Sequence, residues 1–376
     1  MRLPVVSALA VGFVALAALT PATGCARKPA PPPSPLVEKG RQSYARYCAT
    51  CHGPAANGYV ADNAPSLRAV TFLESASDDF IRAGISRGRP GTAMAAFARS
   101  LGGPLDPLEV NAIIAFLRVG GPALRALREG PVVGDAKRGK VVYDANCARC
   151  HGTPTQRSSA VHLANPVLLA TASDAFLHWA IERGRPPTSM VPWKDALTPA
   201  QIDDVVAFVR SMAVPPGIPA LPAPPSVITH ASAPLPPRQG PIVLNPRGKA
   251  PEFALKDDLY VSIAQVKKAL DDKRRLIIAD ARAPSDWLNL HITGAISTPY
   301  YEPRALDDIP NDGTWVLAYC ACPHHVSGEV VAELRKRGYK HTAVIDEGVF
   351  AWQQAKYPVV TAPGLLPAAA PPPQHH

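Results

Sequence analysis

Cys48-Ala49-Thr50-Cys51-His52 decides how this chain is read, and it recurs as Cys147-Ala148-Arg149-Cys150-His151. Both stretches are C-x-x-C-H. Two thiols three positions apart can reach two vinyl groups on one edge of a haem and form thioethers with them. The next residue, histidine, then brings its imidazole under the iron as an axial ligand. A single copy would also fit a zinc site or a thiol–disulfide pair. Two copies, each followed by a methionine, favour covalent haem. The expectation is therefore two haem c groups, held by Cys48 and Cys51 and by Cys147 and Cys150. His52 and His151 are the expected iron ligands.

The 376 residues suffice for two to four domains, and a 47% hydrophobic content allows real cores. The 43 prolines cluster in stretches that read as linkers and tails. Net charge is +9, but no aromatic–basic interleaving points to nucleic acid. Anionic substrates, an anionic membrane or an acidic redox partner fit better. Residues 1–24 resemble a secretory signal, with Arg2 before an apolar run too short to span a bilayer. Ala22-Thr23-Gly24-Cys25 resembles a bacterial lipoprotein box, so Cys25 is an expected lipid anchor, with ordinary cleavage or an uncleaved anchor as the alternatives. Residues 25–35 then form a proline-rich tether. The expected location is the bacterial periplasm, attached to a membrane through Cys25.

Two units follow, 36–120 and 131–214. Cys147 and Gly139 lie 99 positions after Cys48 and Gly40. Ser173, Phe176, Arg183-Gly184-Arg185-Pro186 and Met190 lie 96 after Ser77, Phe80, Arg87-Gly88-Arg89-Pro90 and Met94. A duplication with small loop deletions gives this pattern. Helices are expected over 37–47 and 137–146, and after the capping residues Ser77 and Ser173. Asp106-Pro107-Leu108-Glu109 and Thr198-Pro199-Ala200-Gln201 are capping boxes with proline at the first helical position. Apolar residues then recur as Val110, Ile113, Ile114, Leu117 and as Ile202, Val205, Val206, Val209, each one buried helix face.

On these residues both units resemble class I cytochrome c domains. The resemblance implies that Gly40 and Gly139 let the last helix cross closely, packed by Phe116 and Phe208. It also implies a proline that orients the haem histidine, for which Pro65 and Pro166 are candidates. Met94 and Met190 occupy equivalent positions in Arg-Pro-Gly-Thr-Ala-Met and Arg-Pro-Pro-Thr-Ser-Met, and are the expected second axial ligands. Met212 is expected to pack in a core. His162 or His178 is the alternative ligand for the second haem. Two filled axial positions suit electron transfer rather than substrate binding.

Residues 215–250 read as a proline-rich linker, and 363–376 as a low-complexity tail. Between them, short strands at 276–280, 315–319 and 342–345 alternate with helices, one from Ser262 and one over 327–337. Residues 251–362 resemble a rhodanese-like (sulfurtransferase-type) domain. The first signature is Asp280-Ala281-Arg282, Asp286-Trp287 and His291-Ile292-Thr293-Gly294-Ala295-Ile296. The second is Tyr319-Cys320, Gly338-Tyr339, and Gly348 with Trp352. The resemblance makes Cys320 the position that carries sulfur as a persulfide. A strand-end cysteine facing a helix N-terminus is favoured as thiolate. Arg282, His324 and His325 are expected to add positive charge for an anion such as thiosulfate. An inert buried thiol in a docking module, and a metal site from Cys320, Cys322, His324 and His325, remain as alternatives.

The expected architecture is two all-α cytochrome c domains plus one α/β rhodanese-like domain with a mostly parallel sheet. The expected function is one-electron transfer by an exported di-haem cytochrome, with sulfane sulfur carried on Cys320. The alternative is a pure electron carrier with an inactive docking domain. Expected partners are redox proteins of a respiratory or sulfur-oxidising chain, and a thiosulfate or persulfide donor.

Overall fold

Ser34 accepts a hydrogen bond from the Val37 amide and Pro35 takes the first helical position, so α1 spans Pro35–Tyr47. It therefore includes the last residue of the expected tether. The computed structural model describes residues 33–128, 130–213, 240–321 and 324–362. The leader, Cys25, most of the tether, the linker as far as residue 239, Cys322 and the tail lie outside the described residues. The described residues from Ser34 onward pack as a single unit. No helix among them is long and apolar enough to cross a membrane.

The first pentapeptide lies on the short α2 (Ala49–His52), followed by α3 (Val70–Ser75), α4 (Asp78–Arg87) and α5 (Pro107–Arg118). The second unit repeats this as α6 (Ala136–Asn146), α7 (Ala148–His151), α8 (Pro166–Thr171), α9 (Asp174–Arg183) and α10 (Pro199–Ser211). Both capping boxes form, at Asp106/Glu109 and at Thr198/Gln201.

In each unit the first helix crosses the last, α1 on α5 and α6 on α10. A Cβ on Gly40 would stand 1.9 Å from the Ala112 carbonyl oxygen, and one on Gly139 1.9 Å from that of Asp204. Only glycine allows two helix backbones so close. Tyr44 and Tyr143 fill the crossings, with ring centroids 5.1 Å from Phe116 and 5.1 Å from Phe208. Arg118 ties the end of α5 to the Leu73 and Ala76 carbonyls and to Asp78. Arg210 does the same in the second unit, with Leu169, Ala172 and Asp174. Met212 is buried in the shared helical core, as expected.

The two units meet with α3 on α9 and α4 on α8, the arrangement of a local twofold axis. At its centre the equivalent residues Phe80 and Phe176 pack ring to ring at 4.5 Å.

The α/β part runs β1 (Tyr260–Val261), α11 (Ile263–Asp271), β2 (Leu276–Asp280), α12 (Pro284–Asn289), β3 (Leu290–Ile292) and β4 (Ile296–Ser297). It continues with β5 (Trp315–Tyr319), α13 (His325–Lys336), β6 (Thr342–Ile345), α14 (Gly348–Gln354) and β7 (Val359–Thr361). Strand order is β1-β6-β5-β2-β4, every pair parallel, while β3 and β7 form a separate antiparallel pair. All five residues of β2 are buried, as helices on both faces of a parallel sheet require.

The last residues of the expected linker belong to this domain. Leu244 pairs antiparallel with Leu276, and Ile242 and Val243 pack on the core. A proline-rich composition hid three apolar residues that gain by burial against the sheet.

Candidate functional site

Both haem-attachment segments have the same local build. The first helix ends at Tyr47 or Asn146, the cysteine that follows is the N-cap of the next short helix, and the histidine closes that helix. The hydroxyl of Tyr44 donates to the Gly53 carbonyl at 2.7 Å, and that of Tyr143 to Gly152 at 2.9 Å, pinning the chain just past each histidine. The four cysteines form no disulfide. Burial, then the neighbouring Cys51, pushes the Cys48 thiol up to about 12; burial, then Cys150, pushes Cys147 up to about 11. These are neutral thiols in apolar surroundings, ill-suited to holding zinc as thiolates. Among the described residues no three His, Cys, Asp or Glu side chains are arranged to hold a metal ion by themselves.

The histidines are aimed by backbone. His52 Nδ1 donates to the Pro65 carbonyl at 2.9 Å, and His151 Nδ1 to the Val161 carbonyl at 2.8 Å. In each ring this fixes the tautomer and leaves Nε2 as the available donor atom, the usual second anchor of an iron-ligating histidine. Pro65 therefore takes the orienting role expected of it. Pro166 does not: it starts α8, with Asn165 as its cap. The second unit uses a valine because the contact is to a main-chain oxygen, which any residue supplies.

The two methionine loops are held alike. The Arg89 amide donates to Met94 O at 2.8 Å and the Arg185 amide to Met190 O at 2.7 Å. The Met94 amide is held by Thr92 Oγ1 at 3.0 Å, and that of Met190 by Thr188 Oγ1 at 3.2 Å. Gly88 and Gly184, at φ +65° and +62°, end the preceding helices where a Cβ would strike the returning loop within 2.3 Å. Each loop is thus set by its Gly, Thr and backbone and offers one soft sulfur. His162 Nε2 is spent on the Thr153 carbonyl at 2.8 Å and His178 lies 3.4 Å from Asp203, so neither competes on equal terms. Thiols, imidazole Nε2 and thioether together make the donor set that a c-type haem requires.

In the α/β domain Cys320 directly follows β5, 1% exposed. The Ser327 hydroxyl, in the first turn of α13, donates to its sulfur at 3.3 Å. Helix α13 begins at His325, earlier than expected. The expected cationic partners are placed elsewhere. Arg282 is locked to Asp280, Nη2 to Oδ2 at 2.7 Å and Nε to Oδ1 at 3.0 Å, and also donates to the Leu290 carbonyl. Burial alone would lower the Arg282 pKa, but the charge and hydrogen bonds of Asp280 more than offset it and hold it above the ordinary value. Arg282 is thus placed in an ion pair with the carboxylate two positions earlier on β2. His324 sits at φ +76° with its ring on Tyr260 and its Nε2 engaged by Asp346. His325 Nε2 points to the Thr50 carbonyl at 2.5 Å, away from the sheet.

The sequence residues 35–117 and 134–209 match the family described as cytochrome c oxidase, cbb3-type, subunit III. Residues 262–355 match the rhodanese-like domain family. The chain is a tandem cytochrome c joined to a rhodanese-like domain. The cytochrome pair is 30% identical over 190 residues to a cbb3-type cytochrome c oxidase subunit CcoP of Azospirillum brasilense, covering 46% of this chain and 61% of that one. It is 29% identical over 186 residues to a subunit FixP of a Bradyrhizobium, covering 46% and 60%. The rhodanese-like domain is 31% identical over 97 residues to a probable adenylyltransferase/sulfurtransferase MoeZ of Mycobacterium tuberculosis, covering 25% of this chain and 24% of that one. The tandem cytochrome thus spans about 60% of the length of the oxidase subunits it resembles. Cytochrome c domains imply haem c, and electron transfer is their function.

Proposed function

We propose that this cytochrome carries two haem c groups, ligated by His52 and Met94 and by His151 and Met190, and passes single electrons to or from a respiratory-chain partner. The observation that carries this is the duplicated donor set: in both units a backbone-anchored histidine and a threonine-held methionine loop accompany the paired thiols. Bound haem supplies reversible one-electron iron chemistry, and thioether sulfur favours the ferrous state. The chain's own part is to hold the sulfur donors and exclude other ligands from the iron. The test is a haem count with a redox titration. Two haems per chain are expected, with a methionine-sulfur charge-transfer band at the red end of the ferric spectrum. That band should halve in Met94→Ala or Met190→Ala and vanish in the double variant. Its retention in the double variant overturns the ligation.

Export, with a lipid anchor at Cys25, is part of the same reading, since thioether attachment of haem follows translocation. The rhodanese-like domain is proposed to carry sulfane sulfur on Cys320. Its thiolate attacks the outer sulfur of thiosulfate; the donor S–S bond breaks, the Cys320 persulfide forms and sulfite leaves. With a persulfide donor the leaving group is a thiolate. Exposure to either donor is expected to add the mass of one sulfur atom to the wild-type chain and none to Cys320→Ser.

A second reading has a specific observation in its favour. Arg282, His324 and His325 are all engaged away from Cys320, and the thiol is buried. These features suit an inert domain kept for docking, and absence of sulfur loading in the wild type would establish it.

A further inference from the structure

The contacts between the rhodanese-like domain and the cytochrome pair concentrate on one short segment. Tyr300 OH donates to the Tyr47 carbonyl at 2.7 Å. Arg46 donates to the Tyr301 carbonyl at 2.9 Å and pairs with Glu302 at 3.6 Å. Tyr47 and Tyr301 meet edge to face with centroids 5.0 Å apart. His325 donates to the Thr50 carbonyl, and Thr50 Oγ1 donates to Glu329 at 3.3 Å. Residues 46–50 are the end of α1 and the start of α2, and Thr50 lies between the two haem-binding cysteines.

The domain also holds the opposite side of the first unit. The Ser285 hydroxyl donates to the Ala96 carbonyl at 2.7 Å, two residues past Met94. Ala93, beside Met94, packs against both cores of the rhodanese-like domain. The described hydrogen bonds and ion pairs between this domain and the cytochrome pair all reach the first unit.

We propose that the face built from Tyr300, Tyr301, Glu302, His325 and Glu329 is a fixed dock for the first haem-attachment helix, and that the Glu329 carboxylate beside Thr50 tunes the first haem and not the second. The duplicated units, built to one pattern, are thereby made unequal. Glu302 is countered by Arg46 and Arg304, which leaves the Glu329 carboxylate, when ionised, to oppose addition of an electron to the first iron. The described hydrogen bonds and ion pairs of this face reach no residue of the second unit, so the second haem is expected to be spared. The inference rests on the proposal that both pentapeptides carry haem.

The test is a redox titration of the full-length holoprotein resolving two midpoint potentials, with the first haem identified as the one that shifts in Met94→Ala. Glu329→Gln removes the carboxylate beside Thr50. It is expected to favour reduction of the first haem by up to about tenfold, about 59 mV for a one-electron couple, and to leave the second unchanged. Tyr300→Phe removes one docking hydrogen bond without changing charge. It is expected to raise amide exchange in residues 46–51 and not in 147–151. A shift of the second potential, or of neither, in a protein that contains both haems overturns the dock. A protein with one haem or none instead overturns the di-haem reading on which it rests.

Discussion

Gly40→Ala is expected to yield a chain that matures with its second haem only, and Gly139→Ala one with its first only. The added methyl group would stand 1.9 Å from a carbonyl oxygen of the crossing helix in either unit. That oxygen is backbone in the middle of α5 or α10, so no rotamer change relieves the overlap; one helix must move bodily. Displacing it opens the crossing filled by Tyr44 and Phe116, or by Tyr143 and Phe208. The cost should reach the exceptional range, above about 4 kcal/mol. A small helical domain has only about 5–15 kcal/mol to lose. Haem attachment needs the cysteines and histidine presented together, so the damage appears as stoichiometry. Intact-mass measurement of purified protein should show one haem in each single variant. Gly328→Ala is the control. It lies within α13 with open space around its would-be Cβ, and alanine there should stabilise by about 0.5–1 kcal/mol. Full haem loading in Gly40→Ala would refute the close-crossing account.

Arg282→Met is expected to melt the rhodanese-like domain while the cytochrome spectrum survives. Asp280 lies in the fully buried β2 and holds Arg282 through two side-chain hydrogen bonds. The Tyr319 hydroxyl donates to Asp280 Oδ2 at 2.6 Å and itself accepts from the Ile292 amide at 3.1 Å. Through Leu290, Ile292 and Tyr319 the pair thus ties β2, β3 and β5 together. Removing one partner leaves an uncompensated charge in the interior, which costs about 3–5 kcal/mol. The double change Asp280→Asn with Arg282→Met should recover part of that loss, because neither charge is then stranded. Calorimetry should show the α/β transition falling while the haem-monitored transition stays near its wild-type temperature. An unchanged transition would mean that Arg282 faces solvent, as a substrate-binding role requires.

The cytochrome units were legible because their signals are local. A capping box, a proline at the first helical position and a four-residue haem-binding turn each act within a few residues. The duplication then confirmed Gly40 by Gly139 and Met94 by Met190. The orienting oxygen was half legible: Pro65 supplies it in one unit, but Val161 supplies it in the other, since the interaction needs a carbonyl and not a particular side chain. The rhodanese-like site was less legible. Its strands and Cys320 fell where apolar runs placed them, whereas nothing in the motif Asp280-Ala281-Arg282 told that its two charges pair with each other. The Tyr300-Tyr301-Glu302 segment carried no motif at all.

What the sequence alone determined was the set of parts: two helical cytochrome c units, each with a C-x-x-C-H segment and a methionine loop, and an α/β unit after them. Spacing of one to four residues fixes these, because helical turns and strand ends position groups over such lengths regardless of the rest of the chain. Only the tertiary structure decided which cations are already spent, and that the α/β domain grips the first haem segment rather than the second. Those outcomes depend on pairs such as His325 with Thr50 and Tyr300 with Tyr47, more than 250 positions apart. Two repeats present the same local pattern, and only packing can break the tie between them.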